Sequence, residues 1–192
     1  MELTARQNEI IEESIKIIDH EGIQKLTTRL LAKKIGITEA ALYRHFKSKK
    51  DILLTLLSLF KEKADDVAKS LEQKSELGVD ELQKIFLMRA KILSEKPYYA
   101  QIIFSTGIFN HEKELKEKVK EIIETHKKSF KRILKKAKER GQIKKELSCD
   151  LLAQSIIGTF RFIVTQWKIE GYSGNLKEKI KEMLNFYKNH VF

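Results

Sequence analysis

Apolar residues recur at steps of three and four along nearly the whole chain, the period of a helix with one buried face. Ile11, Ile15 and Ile18 follow that period, as do Leu53, Leu56, Leu57 and Phe60, and then Leu82, Ile85, Phe86 and Ile92. The longest stripe passes through Leu115, Val119, Ile122, His126, Phe130, Ile133 and Ala137, which is about six helical turns. No short stretch alternates apolar and polar side chains as a half-buried strand would. The pattern predicts an all-α fold.

The breaks between stripes locate the joints. Proline occurs once, at Pro97, and glycine eight times. Gly22 sits where a helix C-terminal glycine belongs, after Ile17-Ile18-Asp19-His20-Glu21. Thr27 and Thr28 offer oxygens to cap a second helix that Gly36 ends after two turns, and Thr38 caps a third that closes at Phe46-Lys47. Ser48 with Asp51 resembles a capping box opening a fourth. Further helices are expected from the Leu77-Gly78 break to Pro97, from Tyr98 to Phe109, and from Glu112 to Arg140. The last two run from the Ser148-Cys149-Asp150 cap to Glu170 and from Asn175 to Asn189. That makes about nine helices. A reader domain of residues 1–48 and a larger helical domain of 49–192 are expected, with the helix of 49–70 connecting them.

The second and third helices are short and joined by Gly36-Ile37, the arrangement of a helix-turn-helix. Ala32 is small enough for close approach, and Gly36 can take the positive φ such a turn needs. Ile37 and Leu42 can plug the space beneath the turn, with Ile10, Ile11 and Phe46 completing a small core. Charge follows the same plan. Between Gln24 and Lys50 stand eight Lys or Arg against Glu39 alone, whereas Glu9 to Glu21 holds five acids against Lys16. A basic patch confined to such a segment is the footprint of a phosphate-binding surface, or else a solvated basic face.

In the stretch from Leu26 to Leu53, and most specifically in Leu42-Tyr43-Arg44-His45-Phe46-Lys47-Ser48-Lys49, the sequence resembles the TetR family of bacterial transcriptional repressors. The resemblance runs from Arg6 to about Leu53; beyond it only helix number and length are similar. It implies that Thr28, Tyr43, His45 and Lys49 hold DNA phosphates, with Arg29 beside them. Base reading falls to Glu39, Ala40 and Arg44 on the outer face of the third helix, with Thr38 nearby, unless Arg44 binds only phosphate. Arg44 can fork onto guanine, Glu39 can accept from cytosine, and the Ala40 methyl can touch thymine. Many members of the family carry glycine where this chain has Ala40, so a relative's operator does not transfer to it. The expected function is a sequence-specific DNA-binding regulator, a repressor that covers a pseudo-palindromic operator as a homodimer and is released by a small-molecule effector.

For the body two readings stay open at each feature. Leu152, Ile156, Phe160 and Ile163, with Leu176, Ile180, Leu184 and Tyr187, form two stripes that either build an intersubunit four-helix bundle or fill the subunit's own core. Tyr98, Phe104, Phe130, Phe160 and Trp167 either line an effector pocket or are core. Arg89 and His126, on otherwise apolar faces, either meet a polar ligand or are satisfied within the core.

The bulk composition narrows the rest. In 192 residues the formal charge is +11, which favours nucleic acid or an acidic membrane as partner. The second basic run, Glu112 to Glu146, has fourteen bases mixed with seven acids at spacings of three and four, which reads as a solvated, ion-paired face rather than a membrane-binding one. One cysteine, Cys149, makes no internal disulfide. No targeting signal or spanning segment is recognisable, so a cytoplasmic location is expected. The five histidines lack metal-ligand spacing, and there is no phosphate loop or nucleophile elbow, so neither a metal, a cofactor nor an enzyme is expected.

Overall fold

A computed structural model describes residues 2–72, 77–104 and 112–192. Among them are nine helices and no strand: α1 Ala5–Glu21, α2 Thr28–Ile35, α3 Glu39–Tyr43, α4 Lys49–Glu72 and α5 Val79–Glu95. They are followed by α6 Tyr98–Phe104, α7 Lys113–Glu139, α8 Cys149–Ile169 and α9 Leu176–His190. The expected continuation of α6 to Phe109 lies outside the described residues.

The chain divides into two compact units. The first, residues 1–63 and 97–120, packs α1 against α2, α2 against α3 and α1 against α6. Thr4 opens α1 with a full capping box, its hydroxyl accepting from the Gln7 N–H while the Gln7 side chain accepts from the Thr4 N–H. Thr27 and Thr38 cap α2 and α3 in turn, at 3.1 Å each. Gly36 closes α2 in the left-handed region at φ 76° and ψ 30°. Its N–H donates to the Lys33 carbonyl and that of Ile37 to Ala32, the paired bonds of a Schellman turn. That turn swings the chain straight into the Thr38 cap. Beneath it Ile10, Leu26, Leu31 and Leu42 have no exposed surface, and Ala32 is 2% exposed where α2 meets its neighbours.

Three local expectations are corrected. Helix α3 is five residues, not two turns, because its last carbonyl bonds tighten: His45 N–H and Phe46 N–H both donate to Leu42. In α1 the buried face runs through Ser14 and Ile17 rather than Ile15. Ser14 can occupy it because its hydroxyl donates to the Ile10 carbonyl at 2.7 Å. In α5 Ala90 and Leu93 are buried and Ile92 faces outward.

The second unit, residues 64–96 and 121–192, packs α9 against both α5 and α8. Its core holds Phe86 stacked on Phe130 at 4.8 Å and tilted against Phe160 at 5.1 Å, with Leu82, Ile133, Val164 and Ile180 buried. Gly78 is pressed by Gln142, whose side-chain oxygen accepts from the Val79 N–H at 3.2 Å.

Candidate nucleic-acid interface

Helix α3 places Glu39, Ala40 and Tyr43 on one outward face, with Arg44 just beyond its end. Ala40, Tyr43 and Arg44 are exposed, Tyr43 to 47%, and Glu39 is half-buried. Thr28, the first residue of α2, lies within reach of that face. Its hydroxyl donates to Glu39 Oε2 at 3.1 Å and stands 3.2 Å from the Tyr43 hydroxyl. This cluster joins residues that the sequence reading assigned separate roles. Nothing in periodicity or spacing announces it, because it depends on the crossing of two helices.

The remaining residues expected on this face are placed unevenly. Thr38 is spent on its cap through one lone pair and keeps its proton to donate. Arg29 and His45 are exposed side chains. The His45 carbonyl accepts from Gln7 Nε2 at 3.3 Å, which ties the start of α1 to the end of α3. Lys49 is partly withdrawn: its ammonium donates to the Ile23 carbonyl at 3.3 Å, and burial lowers its pKa. Two of its three protons remain for an anion. Lys50 is paired with Glu114 at 3.0 Å. Lys34 is paired with Glu21 at 3.4 Å, so among the described residues the open cations of this segment are Lys25, Arg29, Lys33, Arg44 and Lys47, all exposed. Short paired helices with hydroxyls and open cations on one face define a helix-turn-helix DNA-binding protein.

In the second unit Arg89 lies over the Phe130 ring, 4.8 Å from its centroid. Burial pulls its guanidinium down to about 10, and no ion pair or hydrogen bond partners it among the described residues. His126 is driven down to about 3, first by burial and then by the Arg89 charge. Arg89, His126, Phe130 and Phe160 are thus brought into one neighbourhood. Trp167 is buried against Tyr172, and its indole N–H has no acceptor among the described residues. Tyr98 belongs to the first unit, packed on Tyr99 at 4.4 Å. The Phe104 side chain lies outside the described residues.

Of the two readings left open for the stripes of the last two helices, burial within the single chain bears on the core one. Leu152, Ile156, Phe160, Leu176, Ile180, Leu184 and Tyr187 are all at most 6% exposed within the single chain, so they fill its own core. Only Ile163 keeps some accessible surface. Helix α8 is apolar beyond one stripe, and its other side shows Leu151, Phe162 and Ile169 to the outside, with Phe186 on α9. Ser155 and Thr159, small residues of α8, are met within the chain by the Tyr187 hydroxyl at 2.7 and 3.1 Å.

Comparison with known proteins gives the same class. Residues 10–56 match the model of bacterial regulatory proteins of the tetR family, and residues 59–188 match that of the C-terminal region of YsiA-like protein. The fatty acid metabolism regulator protein of Bacillus subtilis is 28% identical over 161 residues, which are 83% of this chain and 81% of that one. The nucleoid occlusion factor SlmA of Aliivibrio fischeri is 27% identical over 175 residues, 86% of this chain and 87% of the relative. The crystal structure of the regulator FadR from Bacillus subtilis in complex with stearoyl-CoA superposes with a TM-score of 0.80 at 22% identity, covering 96% of this chain and 99% of that one. The chain belongs to the TetR family and is a DNA-binding transcriptional regulator, not an enzyme. No helix among the described residues is long and apolar enough to cross a membrane.

The depressed His126 has a consequence for stability. The folded chain keeps this imidazole neutral down to about pH 3, while the unfolded chain protonates it near the ordinary histidine value of 6.5. Its contribution is complete above that unfolded value and is lost as pH falls from there toward the folded one. Between pH 7 and pH 5 urea unfolding of the wild type should lose about 2 kcal/mol through this group. His126→Gln should flatten that part of the profile; an equal slope in both proteins would contradict the burial of a neutral imidazole.

Proposed function

We propose that this regulator is a repressor that binds a pseudo-palindromic operator as a homodimer in the cytoplasm, through residues 1–48 carried on a body of 49–192. The observation that carries the reading is the outward face of α3, where Ala40, Tyr43 and Arg44 stand exposed between the exposed cations of α2 and of the loop before α4. Thr28, Arg29, Tyr43, His45 and Lys49 hold phosphates, the last with the N-terminal amides of α4. Thr38, Glu39, Ala40 and Arg44 meet base edges. The division of roles is measurable by titrating duplexes that differ at single positions. Arg44→Ala should relax the preference at one base pair by about 1–3 kcal/mol, and His45→Ala should weaken every duplex alike. A uniform loss for Arg44→Ala would remove it from the base-reading set.

A single five-residue helix offers few base contacts, so two readers related by symmetry are needed for specificity. The outward side of α8 and α9 supports a second copy as its occupant: Phe162, Ile169 and Leu151 are each at least 67% exposed, and Phe186 is 58% exposed. Side chains of that size left in water cost about 1.5–3 kcal/mol each relative to burial. A groove lined by Ile163, Met183, Phe186 and Tyr187 runs beside them. By equilibrium sedimentation the wild type should have the mass of two chains at micromolar concentration, and Phe162→Glu the mass of one with helical content unchanged. A dimer that survives Phe162→Glu places the interface elsewhere.

The effector reading rests on Arg89. A desolvated guanidinium without a carboxylate partner is costly, and an anionic ligand would offset that cost. The stacked Phe86 and Phe130 with Phe160 supply the apolar surface beside it. The stearoyl-CoA complex of FadR favours an acyl thioester, whose long chain is apolar and whose other end is anionic. Such a ligand releases the operator only by its differential affinity for the two states. Calorimetric titration with stearoyl-CoA should show one saturable site per chain in the wild type and at least about tenfold weaker binding in Arg89→Met, the loss of one charge-assisted contact. Equal affinity in both would remove Arg89 from the site.

A further inference from the structure

The hydroxyl protons on the reader face have a settled direction. A carboxylate only accepts, so the single proton of the Thr28 hydroxyl goes to Glu39 Oε2 at 3.1 Å. Thr28 Oγ1 then has only lone pairs left, and the Tyr43 hydroxyl 3.2 Å away is the donor in the second bond. The order is Tyr43 to Thr28 to Glu39. Both ends of α3 are joined through the first residue of α2, and the ionised acceptor strengthens each link.

We propose that this relay makes Glu39 a discriminator against wrong DNA sequences. The inference rests on the reading of Thr28 and Tyr43 as phosphate donors. In the free protein the Thr28 proton is committed to the carboxylate and the Tyr43 proton to the Thr28 oxygen. A phosphate must take them away, and phosphates stand at the same places on every sequence. Capture therefore strips Glu39 of its donor on any duplex, leaving a half-buried anion beside a polyanion. Where a base pair presents an amino donor at that position, such as cytosine N4 in the major groove, the carboxylate regains a partner. Elsewhere it stays unpartnered, and the complex is weakened. Glu39 is the one acid among eight bases between Gln24 and Lys50, so its removal would make the surface a better general phosphate binder and a poorer reader.

Glu39→Ala, Thr28→Val and the double variant would be titrated by fluorescence anisotropy against two duplexes of equal length, the operator selected by the wild type and a scrambled sequence. Glu39→Ala should bind the scrambled duplex about tenfold more tightly and the operator no more tightly than the wild type does, collapsing the ratio between them. In the Thr28→Val background, where the relay is already cut, the same replacement should change scrambled-duplex binding by less than about threefold. An unchanged affinity of Glu39→Ala for the scrambled duplex would overturn the proposal. So would an equal gain in both backgrounds, which simple charge repulsion produces. Tyr43→Phe separates the underlying reading: unchanged binding to both duplexes removes the phosphate role and the relay's function with it. A Tyr43→Phe loss beside an unresponsive Glu39→Ala overturns the discriminator alone.

Discussion

Helices of five and eight residues do not persist in water, where nucleation is unfavourable and isolated helices need about 12–15 residues to be even marginal. Helices α2 and α3 exist because Gly36 turns the chain in the left-handed region and because Leu31 and Leu42 are completely buried, as are Ile10 and Leu26. Every functional contact depends on that closure. It sets Thr28 within hydrogen-bond reach of Glu39 and Tyr43, residues eleven and fifteen places away in sequence. It also leaves Ala40 and Arg44 facing outward with no packing duty. The threonine caps at Thr27 and Thr38 satisfy the helix ends at the turn itself, so the outward amides and hydroxyls are not needed to hold the fold.

Polar groups are handled differently in the two units. On the reader face, most cations stay in water and the single acid is tied down by the Thr28 hydroxyl, so the surface is poised for a polyanion. Inside the second unit, Arg89 is withdrawn from water over Phe130, and burial first and the Arg89 charge second suppress the ionisation of His126. The ring returns about 2 kcal/mol to a desolvated cation, less than the several kcal/mol that withdrawing a charge from water costs. The effector proposed above would give this charge an anionic partner beside the aromatic side chains of Phe86, Phe130 and Phe160.

Much of this was legible in the sequence. The stripe from Leu115 to Ala137 gave α7 because a long amphipathic helix has only one way to hide its apolar side, and Leu115, Ile122, Phe130 and Ile133 are indeed buried. Caps and glycines located the reader's joints because each satisfies a backbone group that only a helix end exposes. Helix α8 defeated the same logic. It is apolar on two sides, so periodicity could not tell the core residues Leu152, Ile156 and Phe160 from the outward Leu151, Phe162 and Ile169. The choice between Ile92 and Leu93, or between Ser14 and Ile15, likewise turns on which neighbour packs there. The Tyr43–Thr28–Glu39 relay lies on the same side of that divide: its three residues were each suspected, but their joining is tertiary.

The central claim is that this surface reads sequence and does so in pairs. Selection of bound duplexes from a random DNA pool, at about 150 mM salt so that non-specific phosphate binding is weakened, tests it most directly. One enriched inverted repeat, with half-sites about one helical turn apart, is the expected result. A pool that emerges unenriched from the same selection would contradict it, leaving a basic surface that holds phosphates without reading bases.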